Sequence, residues 1–170
     1  PGPLEWLAEQ PPEGGVVAVD GAVMAVASAR TLGARLEERG ARLRTDIDLL
    51  DSVWPERPAL PRAAVYAQRA PQASTDRAAK LGVLRESMAG HGATHHFVST
   101  VDDVAWITNL RGSDVDYNPV FLAHLLIDTA RATLFVSAGK IDAALATDLA
   151  ADGINLADYT DAAPALAALP

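Results

Sequence analysis

The chain has 170 residues, of which 49% are hydrophobic, so it can bury a core and could form one domain or parts of two. A net charge of −8 argues against nucleic acid or an anionic membrane as partner, since both favour clustered Lys and Arg. The sequence has no cysteine, which excludes a disulfide or a thiolate metal site. It also contains no run of 18 apolar residues, so it does not predict a membrane-spanning helix.

The first 54 residues predict a strand, helix, strand, helix unit behind a short N-terminal helix. Apolar residues at helical spacing, followed by glycine, are typical of the longer helix. The predicted elements are a helix over 3–10, a strand over 16–19, a helix over 23–39, an edge strand over 42–44 and a helix over 47–54. We expect a partial domain here. The start also lacks Met and a signal-peptide pattern, so we expect the interior of a longer chain or a processed product.

Residues 55–61 predict a linker, because they contain three prolines, which are stiff and cannot join a sheet interior. We therefore expect a domain boundary here, with residues 1–54 on one side and 62–170 on the other. Trp54 and Arg57 could pin the two domains together, or they could be engaged in ordinary packing.

Residues 62–170 predict alternating strands and helices. The predicted strands are 63–68, 95–98, 120–127, 132–136 and 154–156. The predicted helices are one capped by Ser74 or Thr75 and ended by Gly90 or Gly92, a short one capped by Thr100 or Asp102 with Val104, Ile107 and Leu110 at helical spacing, 141–149 and about 161–169. The apolar run 120–127 is typical of a strand buried on both faces, and it should form a hairpin with 132–136. The fold class is therefore α/β, with helices covering a mixed sheet.

The four histidines do not predict a metal site. His95 and His96 point to opposite faces of a strand, His91 lies nearby, and no HExxH pattern or set of acids completes a ligand group. His124 lies within an apolar run and is interpreted as a satisfied core or sheet-face residue. Serine-nucleophile and phosphate-loop motifs are also missing, so we predict neither metal ligands nor catalytic residues in this chain.

A polar loop follows the predicted short helix that carries Val104, Ile107 and Leu110. Its polar or charged residues are Arg111, Ser113, Asp114, Asp116, Tyr117 and Asn118. In a structural interpretation Arg111 bonds Asp114 or main-chain carbonyls, and Asn118 closes a turn. In a functional interpretation the loop binds a partner, because loops held by rigid neighbours often carry function. The residue pattern alone leaves both interpretations open.

The segment 105–121, AWITNLRGSDVDYNPVF, closely resembles the LRGSD…NPVF signature in the middle domain of the large Xaa-Pro aminopeptidases, or aminopeptidase P. These enzymes belong to the creatinase/prolidase superfamily. The segment 51–58, DSVWPERP, is similar to their inter-domain segment. The resemblance implies a creatinase/prolidase N-terminal-domain-like fold. Residues 1–54 would be the C-terminal half of a first such domain, and 62–170 a second, middle domain truncated at its C-terminus.

For function, the resemblance implies a metallopeptidase that cleaves after an N-terminal residue when proline is second. The lack of cysteine is compatible with a cytoplasmic protein, and we expect that location. The enzyme's two divalent metals, typically manganese, would lie in a catalytic domain that is absent from this chain. We therefore expect the 170-residue chain alone to be inactive. By analogy Arg111, Asp114, Tyr117 and Asn118 would face the substrate cleft or the interface with that catalytic domain, and Asp114 could hold Arg111 in place. An exposed sheet edge could recruit a second copy. The alternative is a self-contained protein-interaction module without enzymatic activity.

Overall fold

The structure is a computed structural model that describes residues 2–170, apart from the side chain of Asp51. The chain divides into two compact units, residues 1–59 and 60–170. Each unit has its own cluster of buried apolar side chains.

The first unit is a parallel two-stranded sheet with helices. Its elements are α1 (Pro3–Glu9), β1 (Val16–Ala18), α2 (Val26–Glu37), β2 (Arg42–Arg44) and α3 (Leu50–Val53). Val17 of β1 pairs with Leu43 of β2, and α2 crosses between the strands and buries Leu32 and Leu36. Within the described chain each strand pairs on one side only, so each has an open edge.

The predicted helix over 47–54 is wrong in its length, because only Leu50–Val53 is helical. Asp48 forms an Asx turn just before this helix, because its Oδ1 accepts a hydrogen bond from the backbone N–H of Leu50 at 2.8 Å. The N-cap residue itself is Leu49, whose side chain makes no capping hydrogen bond. The hydrogen bond from Leu50 and the neighbouring Arg57 guanidinium hold the pKa of Asp48 below its usual range.

The second unit is built around a mixed sheet, as the sequence predicts, and this sheet has four strands. The strands of the second unit are β3 (Tyr66–Ala67), β4 (His95–Val98), β5 (Leu110–Arg111), β6 (Ala123–Asp128), β7 (Ala132–Val136) and β8 (Ile154–Ala157). Its helices are α4 (Arg77–Gly90), α5 (Val101–Thr108), α6 (Ala143–Ala151) and α7 (Ala162–Ala167). The sheet order is β4-β6-β7-β8, with β7 and β8 parallel across α6 and the other pairs antiparallel, while β3 and β5 form a separate antiparallel pair.

The predicted hairpin is confirmed, but its first strand begins at Ala123 rather than at Val120. Residues 120–122 form hydrogen bonds with the preceding loop instead of with β7. The Val120 carbonyl accepts a hydrogen bond from the Asp114 N–H, and the Leu122 N–H donates to the Asp114 carboxylate. The strand also alternates between a buried and a half-buried face, so the prediction of burial on both faces is wrong.

His124 lies on the half-buried face of β6 between aromatic rings, which confirms its interpretation as a sheet-face residue. Its ring stacks on Tyr159 with 4.9 Å between centroids and lies 5.4 Å from the ring of Phe97. Nδ1 of His124 is 3.0 Å from Oγ of Ser99. Burial lowers the pKa of His124, because the charged imidazolium is poorly solvated there.

Acidification should therefore destabilise the second unit through His124. Neutral His124 makes its full contribution to the free energy of unfolding above the unfolded-state pKa of about 6.5. This contribution is lost as the pH falls through the lowered folded-state pKa. Thermal unfolding at pH 7.5 and pH 5 measures this loss, which should be smaller in His124→Phe than in the parent. The matched variant His96→Phe, at an exposed position of β4, should retain the larger part of it. An unchanged loss in His124→Phe would contradict this assignment.

Candidate functional site

Helix α5 ends at Thr108 because Asn109 adopts the left-handed conformation, with φ of 52°. Asparagine tolerates this conformation better than most residues with a side chain. The chain then turns into β5, where Arg111 pairs with Tyr66 of β3. The prediction of a helix that continues to Leu110 is therefore wrong by two residues.

Lys80 of α4 is buried beneath the end of α5. Its Nζ donates hydrogen bonds to the main-chain carbonyl of Trp106 and to Oδ1 of Asn109, both at 2.6 Å, and it lies 4.1 Å from the centroid of a Trp106 ring. The Asn109 amide in turn donates to the Thr75 carbonyl at 2.8 Å. Burial and the nearby charge of Arg111 lower the pKa of Lys80. Among the residues described, no carboxylate oxygen lies within 4 Å of Nζ.

Arg111 is half-buried and is held by main-chain carbonyls. Its Nη1 donates to the carbonyls of Ala105 and Leu110, both at 2.8 Å. The expectation that Asp114 holds Arg111 in place is therefore wrong, and the alternative of carbonyl partners is confirmed. Two short main-chain bonds fix the plane of the guanidinium, so the group is oriented before any ligand arrives.

Asp114 instead forms an ion pair with Lys140, a residue that sequence reasoning missed. Both side chains are at most 1% exposed, and the Asp114 carboxylate also accepts the N–H of Leu122 at 2.7 Å. The Lys140 carbonyl accepts the N–H of Val65 at 2.8 Å. The pair therefore fastens the polar loop to the turn before α6. Lys140 sits in the segment SAGKID, which is typical of a solvated surface turn, so no sequence signal marked it.

The tip of the polar loop projects into solvent. Val115 and Asn118 form an isolated bridge across it, and the Asn118 amide donates to Oδ1 of Asp102 at 3.3 Å. Tyr117 between them is fully exposed and has a left-handed backbone, with φ of 63°. At the base of the loop only glycine fits, because a Cβ at Gly112 would lie 2.7 Å from that of Phe121.

An open cleft of about 420 Å³ lies between α5 and the polar loop. Its lining residues are Asp102, Asp103, Ala105, Trp106, Arg111, Asn118, Pro119 and Val120. Trp106 is 57% exposed. Tyr66, which pairs with Arg111 between β3 and β5, is 53% exposed. The structure thus brings Arg111 and Asn118 together in one cleft, whereas the side chain of Asp114 is buried in its ion pair with Lys140 and does not line the cleft. Trp106 was also missed, although its place outside the apolar stripe of Val104 and Ile107 could have marked it as exposed.

The other two predicted residues lie in the first unit. Trp54 is half-exposed and its N–H donates to the Leu50 carbonyl at 2.8 Å. Arg57 forms an ion pair with Asp48 at 2.8 Å. Their predicted role between domains stays a prediction.

Among the side chains that the structure describes, no group of three or more His, Cys, Asp or Glu is arranged to hold a metal ion. The described helices include none with the length and apolar character needed to cross a bilayer.

Comparison with known proteins gives a consistent family. The Creatinase/Prolidase N-terminal domain family matches residues 56–170. A probable Xaa-Pro aminopeptidase P of Botryotinia fuckeliana is 34% identical over 159 residues, which are 92% of this chain and 24% of that protein. Another from Arthroderma gypseum is 38% identical over 139 residues, which are 81% of this chain and 22% of that protein. The chain thus spans about a quarter of the length of these curated relatives.

A solved structure has the same fold. It is the crystal structure of an X-prolyl aminopeptidase from Caenorhabditis elegans, described as a cytosolic enzyme with a di-nuclear active site. The match has a TM-score of 0.87 at 22% sequence identity and covers 98% of this chain and 27% of that one.

Proposed function

The chain belongs to the creatinase/prolidase N-terminal domain family, and we propose that it is the non-catalytic N-terminal and middle region of a metal-dependent Xaa-Pro aminopeptidase. The observation that carries the proposal is the alignment of 92% of the chain with a relative of that name, at 34% identity. In this proposal residues 1–54 are the C-terminal half of a first domain, 55–61 a linker and 62–170 a middle domain. The start of the family match at residue 56 supports this division.

The proposed role of this region is to shape the substrate cleft and the interface with the catalytic domain. Arg111 and Asn118 line the cleft beside α5, and Tyr117 is exposed at the tip of the polar loop, so all three can meet a neighbour. Asp114 would have an indirect role, because its buried ion pair with Lys140 holds the polar loop that carries Tyr117 and Asn118. Trp54 and Arg57 would pack between the two domains.

In the whole protein, the catalytic domain would hold two divalent metals, with manganese as the proposed metal. These ions would supply the hydrolytic chemistry that releases the N-terminal residue of a peptide with proline second. We place the enzyme in the cytoplasm, in line with the description of the Caenorhabditis elegans protein as cytosolic. Pairing of two copies along an open edge of β1 or β2 is a further proposal, and sedimentation as a monomer at high concentration would refute it.

The test compares the full-length gene product with the 170-residue chain in the presence of Mn²⁺. The full-length protein should release alanine from Ala-Pro-Ala and leave Ala-Ala-Ala intact, and the chain alone should cleave neither peptide. Failure of the full-length protein to cleave Ala-Pro-Ala, or turnover by the chain alone, would refute the proposal. The first outcome would favour a protein-interaction module.

A further inference from the structure

Among the described residues, two cations without a carboxylate partner lie in the cleft beside α5 or next to one of its lining residues. Arg111 lines the cleft, and Lys80 is buried under Trp106, which lines it too. Within the described part of the chain, neither side chain has a carboxylate oxygen within 4 Å. The charge of Arg111 even acts on Lys80 unfavourably. Uncompensated cations away from solvent are costly, so this pair creates a local demand for an anion.

The guanidinium of Arg111 is preorganised to meet that demand. Both of its main-chain bonds use Nη1. Among the described residues, neither Nε nor Nη2 of Arg111 donates a hydrogen bond, so these two donors form an unused edge. Such an edge matches the two oxygens of a carboxylate, and because its orientation is already fixed, little conformational entropy is lost on binding.

The walls of the cleft suit a peptide rather than a simple inorganic ion. The exposed indole of Trp106 and the ring of Pro119 provide apolar surface beside the guanidinium. Asp102 and Asp103 line the same cleft and oppose a second negative charge. The site should therefore favour one carboxylate carried on an apolar, otherwise neutral or positively charged body.

We infer that this cleft binds a short peptide through one carboxylate, which pairs with the free edge of Arg111 while the adjacent residue packs on Trp106. The inference rests on the proposed peptidase role for its class of ligand. The carboxylate has two sources, the free C-terminus of the peptide or an acidic side chain. In the first case the domain would favour short peptides with a free C-terminus.

Titration of the ¹⁵N-labelled chain tests the inference, with the indole N–H of Trp106 and the Nε–H of Arg111 as reporters. Ala-Pro-Ala with a free C-terminus should bind about tenfold or more tightly than its C-terminal amide. Ala-Pro-Asp amide compared with Ala-Pro-Asn amide measures the same preference for a side-chain carboxylate. A preference in only one comparison identifies the source, and a preference in neither overturns the inference.

Variants give effects of opposite sign. Arg111→Gln should abolish the preference for the acid, whereas Arg62→Gln, at an exposed position outside the cleft, should retain it. Asp103→Asn should tighten binding of the free acid about twofold, because it removes a repulsive charge. A preference that survives in folded Arg111→Gln would overturn the inference. If that variant does not fold, the acid-amide comparison on the parent and the direction of the Asp103→Asn effect decide. Failure of the proposed function is seen separately, in the cleavage assay.

Discussion

Lys140→Met is expected to lower the free energy of unfolding of the second unit by about 3–5 kcal/mol. Lys140 and Asp114 form a fully buried pair, so removal of the ammonium leaves a carboxylate without counter-charge in the protein interior. The polar loop and the turn before α6 also lose the contact that joins them. Urea denaturation followed by amide NMR signals of residues 60–170 measures the change.

An exposed ion pair provides the matched control. Arg69 and Asp148 lie 3.2 Å apart, with 78% and 50% of their side chains exposed, so Arg69→Gln should cost less than about 1 kcal/mol. The double variant Asp114→Leu with Lys140→Met should destabilise less than the sum of the two single changes, because no unpaired charge remains. A Lys140→Met variant as stable as Arg69→Gln would show that the buried pair does not hold the loop.

Asn109→Ala is expected to cost about 2–4 kcal/mol, the second-largest effect. About 1 kcal/mol or more comes from the left-handed backbone, which alanine adopts poorly. The rest comes from hydrogen-bonding groups left unpaired, because Lys80 loses its Oδ1 acceptor and the Thr75 carbonyl loses its donor. The same denaturation experiment measures this cost.

Asn109→Gly separates the two contributions. Glycine adopts a positive φ without strain, so this variant should be about 1 kcal/mol more stable than Asn109→Ala while still losing both hydrogen bonds. Asn155→Ala, at an exposed position of β8, serves as the control and should change stability by less than about 0.5 kcal/mol. If Asn109→Ala were as mild as this control, the contacts of Lys80 would contribute nothing measurable.

Local signals predicted much of the fold. The bounds of β2, β4 and β7 agree with the prediction, because each is a short segment with turn or capping residues on both sides. The predicted bounds 47–54 and 120–127 are wrong at the positions where a carboxylate accepts a hydrogen bond from a main-chain N–H. Asp48 forms an Asx turn before the shortened helix, and the Asp114 carboxylate accepts the N–H of Leu122 just before the shortened strand. Propensity does not register such side-chain bonds to the backbone.

The candidate site was only partly predictable for a related reason. The signature marked the loop and its polar residues, and Arg111 and Asn118 do line a cleft. Lys80 and Lys140 are lysines in a helix and in a turn, where composition predicts solvent exposure. Only the packing of distant segments shows that both are buried and that one of them, Lys140, is the partner of Asp114.

At Tyr117 the residue that would give the highest thermal stability differs from the residue that offers the largest surface for binding a neighbour. A tyrosine held at positive φ, with its whole side chain in water, gains nothing from packing and bears a conformational cost of about 1–2 kcal/mol. Glycine would relieve that cost at once. Selection of this chain for thermostability alone would therefore favour loss of the aromatic ring, and with it the most protruding contact that the loop can offer a neighbour.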